Sequence, residues 1–368
     1  MLVAIDAREL AGRRTGTGRY LERLLERWAT LPAARAHEFV LYAHEPVSPP
    51  ALANARTSIL QGGGGTRWEQ ATFAAALRRH RPDVLFAPAY TAPLLMASPI
   101  ALTVHDVSFA AHPEWFRWRE GWRRRLLTRA SARRARVVLT VSEFSRREIE
   151  RHLGVPAQRV RVIHHGIGGV DAIRADPAAA GHAHQRRTPP LVLFVGSILN
   201  RRHVSELIAA LAPASRELPG IRLVLAGDNR SWPHEDPVAV ARRHGVGDRV
   251  DVRSFVSDED LRQLYAAADV FAFLSEYEGF ALTPLEALAA GVPPLLLDTP
   301  VAREIYGNAA QYVARAEPSL VASHLIRLLK DDARRSELLS HAPAVLARYQ
   351  WTRTAAETLS AIEEAAGL

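Results

Sequence analysis

The sequence predicts an α/β protein built from two successive parallel-sheet halves. Three observations carry this reading. Short apolar runs of strand length alternate with helical stretches along most of the chain. That alternation breaks once, from Gly168 to Pro190, where Gly, Ala, His and Arg replace any periodicity. At 368 residues the chain is long enough for two cores of ordinary size.

In the first half the strand-like runs are Leu2–Ile5, Phe39–Tyr42, Val84–Phe86, Ile100–Val104, Val137–Val141 and Val160–Ile163. They are apolar almost throughout, as strands covered on both faces must be, and this favours parallel pairing. In the second half Leu191–Val195, Ile221–Leu225, Val250–Val252, Val270–Leu274 and Leu295–Leu297 read as strands. Helical patterns at 204–217, 236–244 and 258–267 separate them. Thr352 to Ala366 closes the chain as an amphipathic helix. The expected division is 1–170 for one domain, 171–190 for a linker and 191–351 for the other.

The chain is 48% hydrophobic and 23% charged, a soluble, globular balance. No apolar run reaches membrane-spanning length, and Met1–Asp6 reads as a strand rather than a leader, so a cytoplasmic protein is expected. The absence of cysteine excludes disulfides and thiolate metal sites. Net charge is +8 and 46 of the 47 basic residues are arginine, Lys330 being the exception. A basic balance of this size favours anionic partners: nucleotides, lipid phosphates or nucleic acid.

One segment carries more functional information than any other. Residues 278–293 read Glu-Gly-Phe-Ala-Leu-Thr-Pro-Leu-Glu-Ala-Leu-Ala-Ala-Gly-Val-Pro. Thr283 is placed to cap a helix, Pro284 suits its first position and Glu286 its third, while Gly291 and Pro293 end it. Glu278 then lies at the carboxyl end of a parallel strand, where ligands of open α/β sheets bind. Taken singly, Glu286 also reads as the partner in a capping box and Glu278 as an ordinary loop carboxylate.

The whole string resembles the Glu-x7-Glu signature of glycosyltransferase family 4, retaining enzymes of the GT-B fold. That family's loop usually reads Glu-Gly-Phe-Gly-Leu-Pro; Ala281 and Thr283 stand here for the second glycine and the proline. The resemblance implies two Rossmann-like domains facing across a cleft, with the last helix crossing back to the first. It also implies that Glu278 contacts the donor sugar, aided by the backbone of Gly279, Phe280, Ala281, Leu282 and Thr283. Glu286 would hold the ribose, and the helix from Pro284 would aim its positive end at the leaving group.

Four further motifs fit the same family. Gly16-Thr17-Gly18-Arg19-Tyr20 follows the first strand at a strand-to-helix turn, where backbone amides can meet phosphate. As a dinucleotide fingerprint it lacks the third glycine and the later acid. Within the family such a loop faces the donor phosphates. Thr103-Val-His105-Asp106 ends another strand, and the resemblance places His105 near the donor sugar with Asp106 orienting it. Val195-Gly196-Ser-Ile-Leu-Asn-Arg201-Arg202-His203 opens the second half. It matches the family's Gly-rich turn and Arg-Lys pair, with Arg202 where lysine is usual, so two fixed cations would compensate the departing pyrophosphate. Phe255-Val256 stands where the nucleotide base would meet backbone. Ser257-Asp258-Glu259-Asp260 resembles an acid-x-acid metal site but reads better as a capped helix start. His164-His165 and His182-x-His184 read as loop residues, so no metal or other cofactor is expected.

Residues 117–136 hold nine arginines with Trp118 and Trp122. Two readings stand: a solvated basic face, or a patch that meets an anionic membrane surface, peripheral to the inner leaflet. The expected activity is retaining transfer of a hexosyl group, best matched by mannosyl from GDP-mannose, to a glycan or lipid-linked acceptor. UDP, dTDP or another nucleotide remains an alternative donor. A dehydrogenase lacks its fingerprint here, and no nucleic acid is an expected partner.

Overall fold

A computed structural model describes residues 1–12, 16–168 and 189–368. The chain forms two compact units: Met1–Gly166 with Tyr349–Leu368, and Ile167–Arg348. The expected linker at 171–190 lies almost wholly outside the described residues.

The first unit is a seven-stranded parallel sheet ordered β3-β2-β1-β4-β5-β6-β7. Its strands are β1 Leu2–Asp6, β2 Glu38–Ala43, β3 Ala55–Ile59, β4 Val84–Ala87, β5 Ile100–Thr103, β6 Val137–Thr140 and β7 Val160–Val162. The second unit is a six-stranded parallel sheet ordered β10-β9-β8-β11-β12-β13. It comprises β8 Leu191–Val195, β9 Arg222–Ala226, β10 Val250–Arg253, β11 Val270–Phe273, β12 Pro294–Leu297 and β13 Gln311–Val313. Each is a Rossmann-like sheet whose strand order reverses beside its first strand, β1 or β8. Helices leave in opposite directions there and open a crevice at the carboxyl ends.

Strands β3 and β13 are absent from the sequence reading for a physical reason. Both are edges: β3, Ala-Arg-Thr-Ser-Ile, is mostly exposed and polar, and β13 is three residues long. An edge strand needs no double apolar face.

Burial on both sheet faces explains the apolar runs. In β1, Val3 and Ile5 join one core with Leu21, Leu24, Trp28 and Phe39, whereas Ala4 joins the opposite core with Val40, Phe73, Leu85 and Leu102. The closing helix Trp351–Ala366 completes the first of these cores through Trp351, Leu359 and Ile362. The fully buried Trp28 indole donates from Nε1 to the Ala355 carbonyl at 2.9 Å and stacks on Phe39 at 5.4 Å. His37 to Glu363 at 2.8 Å and Arg161 to Glu364 at 2.5 Å hold the helix's far end. The return begins at Tyr349, three residues before the predicted helix, because buried Tyr349 already packs edge-on against His164 at 5.5 Å.

Leu359→Ala is expected to destabilise the first unit by about 2–5 kcal/mol, the cost of a large-to-small change in a closed core. The urea midpoint should fall with the slope unchanged; an unshifted midpoint would show that the closing helix contributes little.

Candidate functional site

In the second unit, two loops at adjacent strand ends are stitched together by the ion pair of Arg202 with Glu278, beside a longer contact of His203 with Glu276 at 3.6 Å. The β11 loop carries Glu278 and the β8 loop carries Arg201 and Arg202. Arg202 Nε donates to Glu278 Oε1 at 2.8 Å, and Ser275 Oγ donates to the same oxygen at 2.9 Å. Both charged side chains are about six-sevenths covered, at 14% and 15% exposure, so each needs the other. Arg202 Nη1 also donates to the Ser197 carbonyl at 2.9 Å, and the guanidinium lies 4.9 Å from the Phe273 ring centroid. Gly196 leaves room for it: with φ +141°, a Cβ there would meet Arg202 Nη1 at 2.7 Å. Arg201 Nε lies 3.3 Å from the Tyr277 carbonyl it donates to, and the Glu276 amide donates back to the Arg201 carbonyl at 3.0 Å.

The loop beyond Glu278 is bent by residue 281. Ala281 adopts φ +62°, the left-handed region. Its carbonyl accepts from the Tyr306 hydroxyl, which also reaches the Phe280 carbonyl at 3.5 Å. A concavity opens here, lined by Glu278, Phe280, Ala281, Thr299 and Tyr306 among others.

Two expectations about the next helix need correction. Thr283 does not cap it: the helix runs Thr283–Ala289, and Leu282 stands at the cap without a side-chain bond. Ala281 turns the chain so early that Thr283 is already helical. Glu286 consequently forms no capping box; its Oε2 accepts from the Tyr265 hydroxyl at 2.8 Å. Ser257 does cap its helix, accepting from the Asp260 amide at 3.1 Å. Phe255, 65% exposed, and Val256 lie between β10 and that helix.

In the first unit, Gly16, Thr17 and Gly18 form the first turn of the helix Gly16–Trp28, which begins earlier than the apolar pattern suggests. His105 follows β5. Its Nε2 lies 2.9 Å from the Pro88 carbonyl, which can only accept, so Nε2 carries the proton. Burial lowers the His105 pKa. Asp106 does not orient it. That carboxylate accepts from the Tyr90 hydroxyl at 2.8 Å and from Ser108, amide at 2.8 Å and hydroxyl at 2.6 Å. Adjacent residues leaving a strand point apart, and the carboxylate is consumed in its own turn.

His165 is the residue the sequence concealed. Read as a loop histidine, it is 7% exposed and packs 5.3 Å from His105, 4.9 Å from Tyr20 and 5.8 Å from Trp351. Burial, then the neighbouring His105 and His164, hold it well below the usual histidine range. Among the described residues, no group of three or more His, Asp or Glu is placed to hold a metal.

Two family models match the chain: Glycosyltransferase Family 4 over residues 14–168 and Glycosyl transferases group 1 over residues 182–344. O-antigen chain mannosyltransferase B of Escherichia coli is 28% identical over 294 residues, 78% of this chain and 76% of that protein. GDP-mannose:cellobiosyl-diphosphopolyprenol alpha-mannosyltransferase of Xanthomonas oryzae pv. oryzae is 26% identical over 223 residues, 58% of this chain and 55% of that one. Among solved structures, Anabaena HepE in complex with UDP-glucose superposes with a TM-score of 0.71 at 18% identity, covering 98% of this chain and 99% of HepE. Sucrose-phosphate synthase from Thermosynechococcus elongatus gives 0.74 at 19%, covering 99% and 98%. At such identities the likeness is one of fold.

The left-handed backbone at Ala281 makes a sharp expectation. Ala281→Gly should raise the stability of the second unit by about 1 kcal/mol, because only a side chain is penalised there; a loss in thermal or urea melting would contradict the loop geometry. The buried histidines set a pH expectation of definite sign. His105 and His165 bind protons more readily unfolded than folded, so their stabilisation is present above the ordinary value of 6.5 and lost as pH falls below it. His165→Gln should flatten the acid side of the stability profile measured by urea unfolding, and an unchanged slope would oppose this.

Proposed function

This chain belongs to glycosyltransferase family 4, and from that premise we propose that it transfers mannose from GDP-mannose to a glycan or lipid-linked acceptor, with retention at the anomeric carbon. The observation that carries the reading is the Glu278–Arg202 pair at the carboxyl ends of β8 and β11. A carboxylate for sugar hydroxyls and a guanidinium for a departing phosphate there share one rigid mount.

In this reading the nucleotide sugar's diphosphate lies against Arg201 and Arg202. Arg202 spends Nε on Glu278 and Nη1 on Ser197, which leaves Nη2 to face phosphate. Glu278 then keeps Oε2 for a sugar hydroxyl. The bond from the anomeric carbon to the phosphate oxygen breaks with its electron pair going to the phosphate, where the two arginines stabilise the new charge. The acceptor oxygen forms its bond on the same face, and its proton passes to the departing phosphate oxygen. The charge is balanced by this chain's own cations, and no divalent ion is invoked. Backbone of Gly279 to Thr283 borders the sugar, Glu286 holds the ribose, and Phe255 and Val256 lie beside the base. Mannose is favoured by the names of the two relatives above, one of which uses GDP-mannose; the UDP-glucose held by HepE supports the alternative donor.

A melting panel of GDP, UDP, dTDP and ADP tests the donor. A nucleotide at 100 times its dissociation constant should add about 2.7 kcal/mol of stability, and GDP should give the largest shift; UDP ahead of GDP would transfer the proposal to the alternative. Glu278→Gln weakens the hold on the sugar and also removes the countercharge of Arg202, so a lower melting temperature should accompany it. Turnover should fall about 10–100-fold, the worth of a charged hydrogen bond, with GDP affinity nearly unchanged. Glu286→Gln should weaken GDP itself. Unaltered turnover in the first variant, or unaltered GDP binding in the second, sinks the respective assignment.

A further inference from the structure

The helix Trp118–Arg134 divides its arginines in a way the sequence does not show. They do not form one mutually repelling face. Arg124 turns inward, its guanidinium 4.7 Å from the Tyr90 ring centroid and 5.0 Å from that of Phe109. Arg133 donates to the Leu153 carbonyl at 3.1 Å, and Arg134 to the Leu94 carbonyl at 3.1 Å. Arg119, Arg123 and Arg129 remain on the exposed face and form no ion pair among the described residues.

Along that same face runs an apolar stripe. Trp118, Trp122 and Leu126 are spaced four apart, one helical turn each, and are 78%, 55% and 52% exposed. The opposite side of the helix, Gly121, Thr128, Ser131 and Ala132, is buried in the first unit. The docked side is thus small and polar, and the outward side holds the large apolar groups. Leu95, 75% exposed, follows the carbonyl that Arg134 grips and adds a further apolar side chain beside the helix's end. Leaving such residues outward forfeits about 1.5–3 kcal/mol for each large apolar side chain kept in water.

We propose that this face lies in the interface of an anionic lipid bilayer, with Trp118, Trp122 and Leu126 at the headgroup–acyl boundary and Arg119, Arg123 and Arg129 on lipid phosphates. Charge selects this occupant. Every outward polar flank of the stripe from Arg119 onward is cationic except Glu120, and tryptophan favours the membrane–water boundary. A second copy of the chain would set these arginines against each other. The helix also follows the turn carrying Asp106 and Ser108 at the carboxyl end of β5. Its tryptophan end is therefore the end nearest the carboxyl ends of that unit's strands. The inference does not depend on which sugar, or whether any sugar, is transferred.

The test is flotation of the full chain with vesicles of equal parts phosphatidylglycerol and phosphatidylcholine, at low and high salt, with phosphatidylcholine alone as the contrast. The wild type should float with the anionic vesicles, lose them at high salt and show a blue shift in tryptophan emission. Trp118→Ser/Trp122→Ser/Leu126→Ser should abolish the partition. Arg119→Gln/Arg123→Gln/Arg129→Gln should weaken it by about fivefold per arginine. All six positions are exposed, so unchanged melting and nucleotide binding should accompany both variants. Equal binding to neutral vesicles overturns the proposal, as does wild-type retention by the serine variant. So does a concentration-dependent dimer in sedimentation velocity that the serine variant dissolves without any vesicle binding.

Discussion

The contact between Arg202 and Glu278 is the constraint on which the carboxyl edge of the second unit's sheet depends. It ties the first strand of that sheet to its neighbour at the point where the strand order reverses. Two charges covered to this degree must stay together, since separating them strands a buried ion. Their environment is shaped to the same end. Gly196 yields space to the guanidinium, and Gly227 yields space in turn, for a Cβ there would lie 2.1 Å from the Gly196 carbonyl. Phe273 supplies a ring face and Ser275 a hydroxyl. The result is a carboxylate and a guanidinium held in one fixed arrangement at the carboxyl ends of β11 and β8.

The first unit is built differently. The carboxyl edge of its sheet gathers rings: the centroids of Tyr20 and His105, His105 and His165, and His165 and Trp351 lie 5.1, 5.3 and 5.8 Å apart. Neutral imidazole suits such a place, because burial penalises the charged ring more than its surroundings favour it. Asp106, the acid nearest in sequence, is committed to Tyr90 and Ser108. Where the second unit relies on paired charge, the first relies on groups kept uncharged.

Legibility in the sequence followed distance along the chain. Strands covered on both faces announce themselves as apolar runs, and Glu278, Arg201, Arg202 and His105 follow strand ends as their spacing in the sequence indicates. Edge strands β3 and β13 lack the double apolar face and so lack the signal. The residues that hold the site are the harder class. Tyr306 grips the loop at Ala281 from 25 positions away and Tyr265 grips Glu286 from 21. His165 meets His105 across the sheet. Nothing in a local pattern distinguishes a buried tyrosine that serves a loop from one that merely fills space. Thr283 misled for the opposite reason: its pattern was correct for a cap, but the left-handed residue two places earlier had already started the turn.

The closing helix has a consequence for how the protein comes into being. Its buried face, Trp351 through Ala365, completes a core otherwise made by residues 1–166. During synthesis that core stays open while the whole stretch Ile167–Arg348 is added, roughly 10–40 s at ordinary ribosomal rates. The second unit has all its strands in one continuous stretch and can finish first. The half of the molecule that is made first is thus the last to be sealed, and nascent chains stalled near their end would present Trp28, Leu21 and Leu24 to chaperones.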